Sequence, residues 1–312
     1  MQQNVALLFL VLTFIFSGCA TGGRGQIASP ASAARAVVLM TDFGLKDGAV
    51  SAMKGVAFQA APSVVVSDLT HDVPPYDIWT GAYRLSQTYA FWPKGTVFVA
   101  VVDPGVGSER KSIALETASG HIFVGPDNGL FTLVADGAGI SHVVAIDEAK
   151  QRIKGSDESY TFHGRDLYAY VGARLAGRAI DLTALGAPLG REIERIPYQR
   201  AERRGQVING GIPVLDPNYG NVWTNIPKVL MKSSGLSPRY RIVIREKARE
   251  VFRGELPLVE TFAAVPKGKP LLYFNSLMNL AVALNQGDFA KAHRVGSGPI
   301  WSIEIEPVGK SQ

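Results

Sequence analysis

Cysteine is almost absent: Cys19 is the only one in 312 residues, which excludes a disulfide within the chain. No HExxH or CxxC spacing occurs, so no protein-bound metal or other cofactor is expected. Charge is sparse, with 19% charged residues and a net charge of +5. The basic side chains are scattered, apart from Arg195, Arg200, Arg203 and Arg204, and these are interleaved with Glu192, Glu194 and Glu202. That mixture describes a solvated segment and argues against a nucleic-acid partner. No internal repeat is present. What the chain has instead is apolar residues, 46% of the total, enough to build a real core in one large domain or two ordinary ones.

The first 18 residues stand apart. Residues 5–16 are almost wholly apolar, about the length of a signal-peptide core and too short to span a bilayer. They lead into Ser17, Gly18 and the lone Cys19. Small residues before a single cysteine resemble a bacterial lipoprotein cleavage site, so residues 1–18 are read as a signal peptide and Cys19 as a lipidated N-terminus. This expectation makes the protein an exported, membrane-anchored lipoprotein. Residues 19–34 are rich in Gly, Ala and Ser and read as a flexible tether.

From residue 35 onward, apolar runs alternate with amphipathic stretches. Residues 37–40, 64–66, 97–102, 112–115, 122–124 and 143–146 read as strands. The run at 97–102 is continuously apolar and β-branched, as at the centre of a parallel sheet. Helices are expected at 49–59, after Asp47, from Asp77 to about residue 91, and at 166–175. The alternation predicts a doubly wound α/β domain over residues 35–189. A charged linker follows at 190–205. Residues 206–312 then read as a smaller, mainly β domain, with strands at 207–215, 222–226, 240–245, 271–274 and 300–305 and a helix at 277–284.

The polar turns that end these strands carry the candidate chemistry, because ligands of open α/β sheets collect at strand ends. Asp103 ends the strongest strand, and DPGVGSER at 103–110 turns tightly enough to return Arg110 toward it. The pair is either a structural salt bridge or a fixed, ionised carboxylate for chemistry. His163, in TFHGRD at 161–166, precedes a helix, where its neutral form is favoured. Asp42, in TDFG at 41–44, suits either a capping turn or ribose hydroxyls. The DFG string has no accompanying kinase motif, which removes that reading. The segment DPNYGNVWTN at 216–225 offers Tyr219 for stacking and Asn221 for polar edges of a flat heterocycle, with Tyr76, Phe162 and Phe262 as apolar walls. Asn275 and Ser276 end a strand before the expected helix, a place for either a helix cap or a carboxylate.

Taken in order, TDFG, DLTHDVPPYD, VVDPGVGSER, GPDNGLF, TFHGRD, DPNYGNVWTNI and the YFNS and LNQGD segments resemble the S-adenosylmethionine hydrolase, or hydroxide adenosyltransferase, family. That family shares its fold with the halogenating fluorinase and chlorinase. The resemblance implies hydrolysis of S-adenosylmethionine to adenosine and methionine, and homotrimers with sites between one subunit's first domain and its neighbour's second. It also implies a water-holding triad of Asp103, Arg110 and His163. By the same resemblance Asp42 meets the ribose and Asp216 the methionine amino group. Tyr219 and Phe262 line the adenine or ribose, Asn221 contacts adenine, Ser276 holds the methionine carboxylate, and Tyr76 takes the place of a lid aromatic. The halogenases lack an acid at the Asp103 position and carry an extra loop where this chain has only a short turn at 116–121. Both differences imply water as the nucleophile. Leu277 replaces an arginine of the halogenases, so the methionine end is held differently. The alternatives are a halide-using transferase of the same fold and a lipid-anchored nucleoside-binding protein without turnover.

Overall fold

The computed structural model describes residues 36–233 and 235–309. The expected signal peptide, tether and Cys19 lie outside the described residues.

The first part is a six-stranded sheet in the order β2-β1-β3-β5-β4-β6, formed by β1 (Ala36–Thr41), β2 (Val65–Thr70), β3 (Val97–Val101), β4 (Ser112–Thr117), β5 (Ile122–Pro126) and β6 (Ile140–Ala145). β2, β1, β3 and β5 run parallel, and β4 lies antiparallel to both β5 and β6. Every residue of β1 and β3 is buried. Alternate side chains therefore serve two cores, one on each face of the sheet. Val37, Leu39, Val97 and Val99 face one core, with Met53 of α1 (Ala49–Ala60) and Leu175 of α5 (Tyr170–Ala176). Val38, Met40, Phe98 and Ala100 face the other, with Leu85 of α2 (Ile78–Thr88) and Val134 of α3 (Thr132–Ala138). Each of the Val, Leu, Met and Phe side chains among them contributes about 1.5–3 kcal/mol by leaving water. This is the doubly wound arrangement expected, with one antiparallel strand inserted.

Helix termini follow local chemistry. Asp77 accepts the Thr80 N–H at 2.9 Å and starts α2, whereas Asp47 reaches the Ala49 N–H, also at 2.9 Å, from two residues before α1 begins. After β6 comes the short α4 (Glu148–Gln151), and then a π-helical turn, Gly164–Ala169, runs directly into α5 (Tyr170–Ala176). At Gly172 a Cβ would come within 2.3 Å of Val99, so the small residue is what lets α5 lie this close to β3.

The second part is mainly β. Strands β13 (Pro270–Phe274), β14 (Asn279–Leu284), β10 (Val222–Pro227) and β9 (Val214–Leu215) make a four-stranded sheet. Strands β12 (Arg249–Pro257), β11 (Arg239–Glu246), β15 (Gly298–Pro307), β8 (Val207–Ile212) and β7 (Glu202–Arg204) make a five-stranded one. Ile242, Ile244, Ile303 and Ile305 of one sheet and Val222, Leu272 and Val282 of the other share a core. The short helices α6 (Lys228–Lys232) and α7 (Phe289–His293) complete it.

The helix expected at 277–284 is not there. Residues 279–284 form β14, paired with β13 and β10, and Leu277 sits in the turn before it. An apolar run of that length suits either conformation, and two available strand partners decide it. The charged segment after residue 190 is also not loose. Asp136 accepts from Arg195 at 2.5 Å, Arg200 at 2.7 Å and Tyr198 at 2.8 Å, strapping the segment to α3. Trp79 of α2 stacks obliquely on Tyr198, and its indole N–H donates to Pro213 O at 2.8 Å, so α2 is tied to the start of the β-rich part.

Candidate active site

Asp103 follows the end of β3, and the next turn brings Arg110 back onto it. Gly107 makes that turn possible, with φ of +78° and Tyr160 O only 3.1 Å from where a Cβ would stand. Arg110 Nη2 and Nε meet Asp103 Oδ2 at 2.6 and 3.0 Å, and Nε also lies 3.1 Å from Oδ1. The Asp103 side chain is 4% exposed and that of Arg110 10%. Such a fork fixes the carboxylate in direction. Burial opposes the Arg110 charge, but the Asp103 hydrogen bonds and the nearby Asp103 and Glu148 carboxylates outweigh it and hold the guanidinium above its ordinary value.

His163 caps the π-helical turn and is 3% exposed. Asp103 and His163 both line a cavity of about 230 Å³, together with Asp42, Tyr76, Phe162 and Phe43. Phe162 packs edge-on to Phe43 at 5.8 Å. Arg110 does not line this cavity; it stands behind Asp103. Asp42 spends one oxygen, Oδ2, on the Tyr76 N–H at 2.9 Å. Tyr76 itself is 72% exposed with φ of +67°, a conformation that costs energy outside glycine.

Sequence reasoning missed Glu148. Its Oε2 lies 2.9 Å from His163 Nε2, and its Oε1 accepts from Ser112 Oγ at 2.5 Å and lies 3.5 Å from Arg110 Nη1. Ser112 also takes Arg110 Nη1 at 3.0 Å and contacts the buried Tyr168 hydroxyl at 2.8 Å. The His163 hydrogen bond, more than burial opposes it, holds the Glu148 carboxyl down to about 2, with Ser112 and Arg110 adding to the effect. Burial pushes the Tyr168 phenol up, so it stays protonated. Nothing in the IDEAK segment signals this role; Glu148 reaches the site only because β6 ends beside β4.

The other predicted residues form a second cavity of about 1000 Å³ in the β-rich part, lined by Asp216, Tyr219, Asn221 and Phe262, with Tyr273, Lys267 and Asp288 unforeseen. Asn221 is 5% exposed, and its Nδ2 donates to Asp216 Oδ2 at 3.3 Å. Phe262 tilts against Tyr273 at 4.9 Å. Tyr219 is 67% exposed. The two cavities share no residue.

Asn275 and Ser276 line neither cavity. They occupy the β13–β14 turn, not a helix start, which corrects the expectation of helical donors. Asn275 Oδ1 accepts the Leu277 and Asn279 N–H groups at 3.0 and 3.1 Å, and its Nδ2 is buried with no protein partner. The strands around Thr117 and Ile122 are joined by a tight turn.

Comparison with known proteins agrees with this layout. Family models described as the SAM hydroxide adenosyltransferase N-terminal and C-terminal domains match residues 37–186 and 210–302. The (R)-S-adenosyl-L-methionine hydrolase of Methanocaldococcus jannaschii is 41% identical over 62% of this chain and 67% of its own length. That of Salinispora tropica is 38% identical over 79% of this chain and 89% of its own. A fluorinase from an Actinoplanes species is 29% identical over 86% of this chain and 97% of its own length. The crystal structure of an uncharacterized conserved protein from Thermotoga maritima matches with a TM-score of 0.76 at 31% identity, over 86% of this chain and 99% of that one. With both domain models matched in order, and an α/β layer followed by β-rich sheets, the chain belongs to the SAM hydroxide adenosyltransferase family.

Proposed function

We propose that the protein hydrolyses S-adenosylmethionine to adenosine and methionine. The observation that carries this reading is the Arg110-clamped Asp103 beside His163 on one cavity wall, with Asp42 and Tyr76 on the same cavity. The substrate needs no acid to help its leaving group, because methionine departs from a sulfonium as a neutral thioether. The difficulty lies in the nucleophile. A water between Asp103 and His163 would be aimed at the 5′ carbon; its oxygen bonds to that carbon as the carbon–sulfur pair returns to sulfur. The released proton passes to the Asp103–His163 pair. Arg110 acts through Asp103, holding it in line. As that proton leaves, the hydroxide character of the water offsets the sulfonium charge in the transition state, which a dry chamber favours.

The cavity of about 230 Å³ is below the ~300–1,000 Å³ usual for small-molecule sites, so it accommodates only part of this substrate. Asp216, Tyr219, Asn221 and Phe262 offer the complementary half: a carboxylate for the methionine ammonium, and two rings and an amide for adenine. We place that half on a neighbouring subunit, in a ring that closes as a trimer. The exposed Tyr76 and Tyr219 are the rings such a junction would cover.

Adenosine and methionine formed at equal rates in halide-free buffer support the hydrolase. A product that appears only with chloride or fluoride supports a halide-using transferase, and tight adenosine binding without product supports a binding protein. Export and lipid anchoring through Cys19 are proposed from sequence alone. Palmitate labelling that a Cys19→Ser change abolishes would support the anchor, and labelling that persists would reject it.

A further inference from the structure

We infer that Glu148 is a positioning residue that sets which ring nitrogen of His163 carries the proton and which keeps its lone pair for the reaction. The inference rests on the hydrolase reading but on different atoms. The proton inventory around Glu148 is closed. Its carboxyl is ionised, and a carboxylate only accepts. Ser112 gives its single hydroxyl proton to Glu148 Oε1, so the Tyr168 hydroxyl must donate to Ser112, alongside Arg110 Nη1. Oε2 is left for His163 Nε2 at 2.9 Å, and that nitrogen must carry a proton to bond there. Neutral His163 is therefore the Nε2–H tautomer. Its lone pair sits on Nδ1, which is buried and has no protein partner. His163 lines the Asp103 cavity, and Nδ1 is the one nitrogen of its ring with a lone pair left to take a proton.

Glu148 does not line that cavity. It acts on substrate only through the ring, fixing the tautomer, the ring orientation and, once the proton arrives, the imidazolium. The charged and titratable groups around the ring, its carboxylate and the shared cavity include Glu148 itself, Arg110, Asp103, Asp42 and the Tyr168 phenol, whose ring centroid is 6.2 Å from that of His163. Arg110 also links the two carboxylates, so Asp103 and Glu148 are held by one guanidinium from opposite ends.

The test uses the full-length chain with 15N-labelled histidine. Long-range proton–nitrogen spectra of the wild type are expected to show His163 protonated at Nε2 near neutral pH, and Glu148→Ala to show a mixture of tautomers. In Glu148→Ala, kcat should fall at least about tenfold with KM nearly unchanged. In Glu148→Gln the acceptor remains but the charge does not, so the imidazolium loses support and the acid limb of the kcat profile moves to lower pH. A purely structural glutamate would lower the melting temperature without moving that limb. An Nδ1–H tautomer in the wild type, or a Glu148→Gln enzyme with unchanged kcat and limb, overturns the inference. Absence of turnover in the wild type would overturn the hydrolase reading instead, while the spectra would still decide the tautomer.

Discussion

Arg110 supplies three kinds of contact at once: a fork to Asp103, a bond to Ser112 and a longer approach to Glu148. A lysine has one point charge and cannot occupy both sides of that fork. Arg110→Lys should therefore lower kcat about 10²-fold while leaving KM within a small factor, because position 110 is off the cavity wall. Steady-state kinetics check this, and a rise in KM alone would mean the guanidinium binds substrate directly. Glu148 makes a different prediction. Its folded-state value is depressed from near 4.5 to about 2, so its contribution to stability is complete above the unfolded value and is lost as pH falls from about 4.5 toward 2. Acid unfolding followed by circular dichroism should be less steep over that window in Glu148→Gln than in the wild type. Asp103 was visible in the sequence because it ends an apolar run, Arg110 because a tight turn returns it toward Asp103, and His163 because its motif precedes a helix. Glu148 was not, since a glutamate opening a short surface helix has no spacing signal and gains its role from strand order.

Among the elements, the central strands explain themselves. A continuous β-branched run such as Val97–Val101 has no polar face to show water, so it must be covered on both sides. Helix α5 covers one side and approaches so closely that residue 172 has to be glycine. Gly172→Val should destabilise the protein by about 1–3 kcal/mol or more through overpacking against Val99, measured by denaturant unfolding; an unchanged midpoint would mean α5 can shift outward freely. That helix also carries the π-helical turn behind His163, so the same variant is expected to lose activity before it loses its fold. The sequence misled at 277–284, where an apolar run was compatible with helix or strand. Strand Arg249–Pro257 was passed over because its four charged positions, Arg249, Glu250, Arg253 and Glu255, look like surface loop. They are the charges of an edge strand, which protect an open hydrogen-bonding edge from other chains.

At the scale of the whole molecule, the chain carries two separate cavities. One is lined by Asp103, His163 and Asp42, the other by Asp216, Asn221, Tyr219 and Phe262, and no residue is common to both. The motif order made both sets of residues legible, and the family resemblance it carries is what raised a junction between subunits; periodicity alone says nothing of assembly, which is a property of surfaces. If each working site joins two subunits, Asp103→Ala and Asp216→Ala should each be inactive alone. Co-expressed, they should recover about a quarter of wild-type activity, since a random mixture leaves that share of junctions with both residues intact. No recovery in mixed oligomers would place both residues in the site of a single chain. The central claim, solvent attack at the 5′ carbon, has a more direct test. The full-length protein is incubated with S-adenosylmethionine in 18O-water and the products are weighed by mass spectrometry. The account predicts adenosine carrying one solvent oxygen at its 5′ position and unlabelled methionine in equal amount. Adenosine without the label, or cleavage that leaves sulfur on the nucleoside, would contradict it.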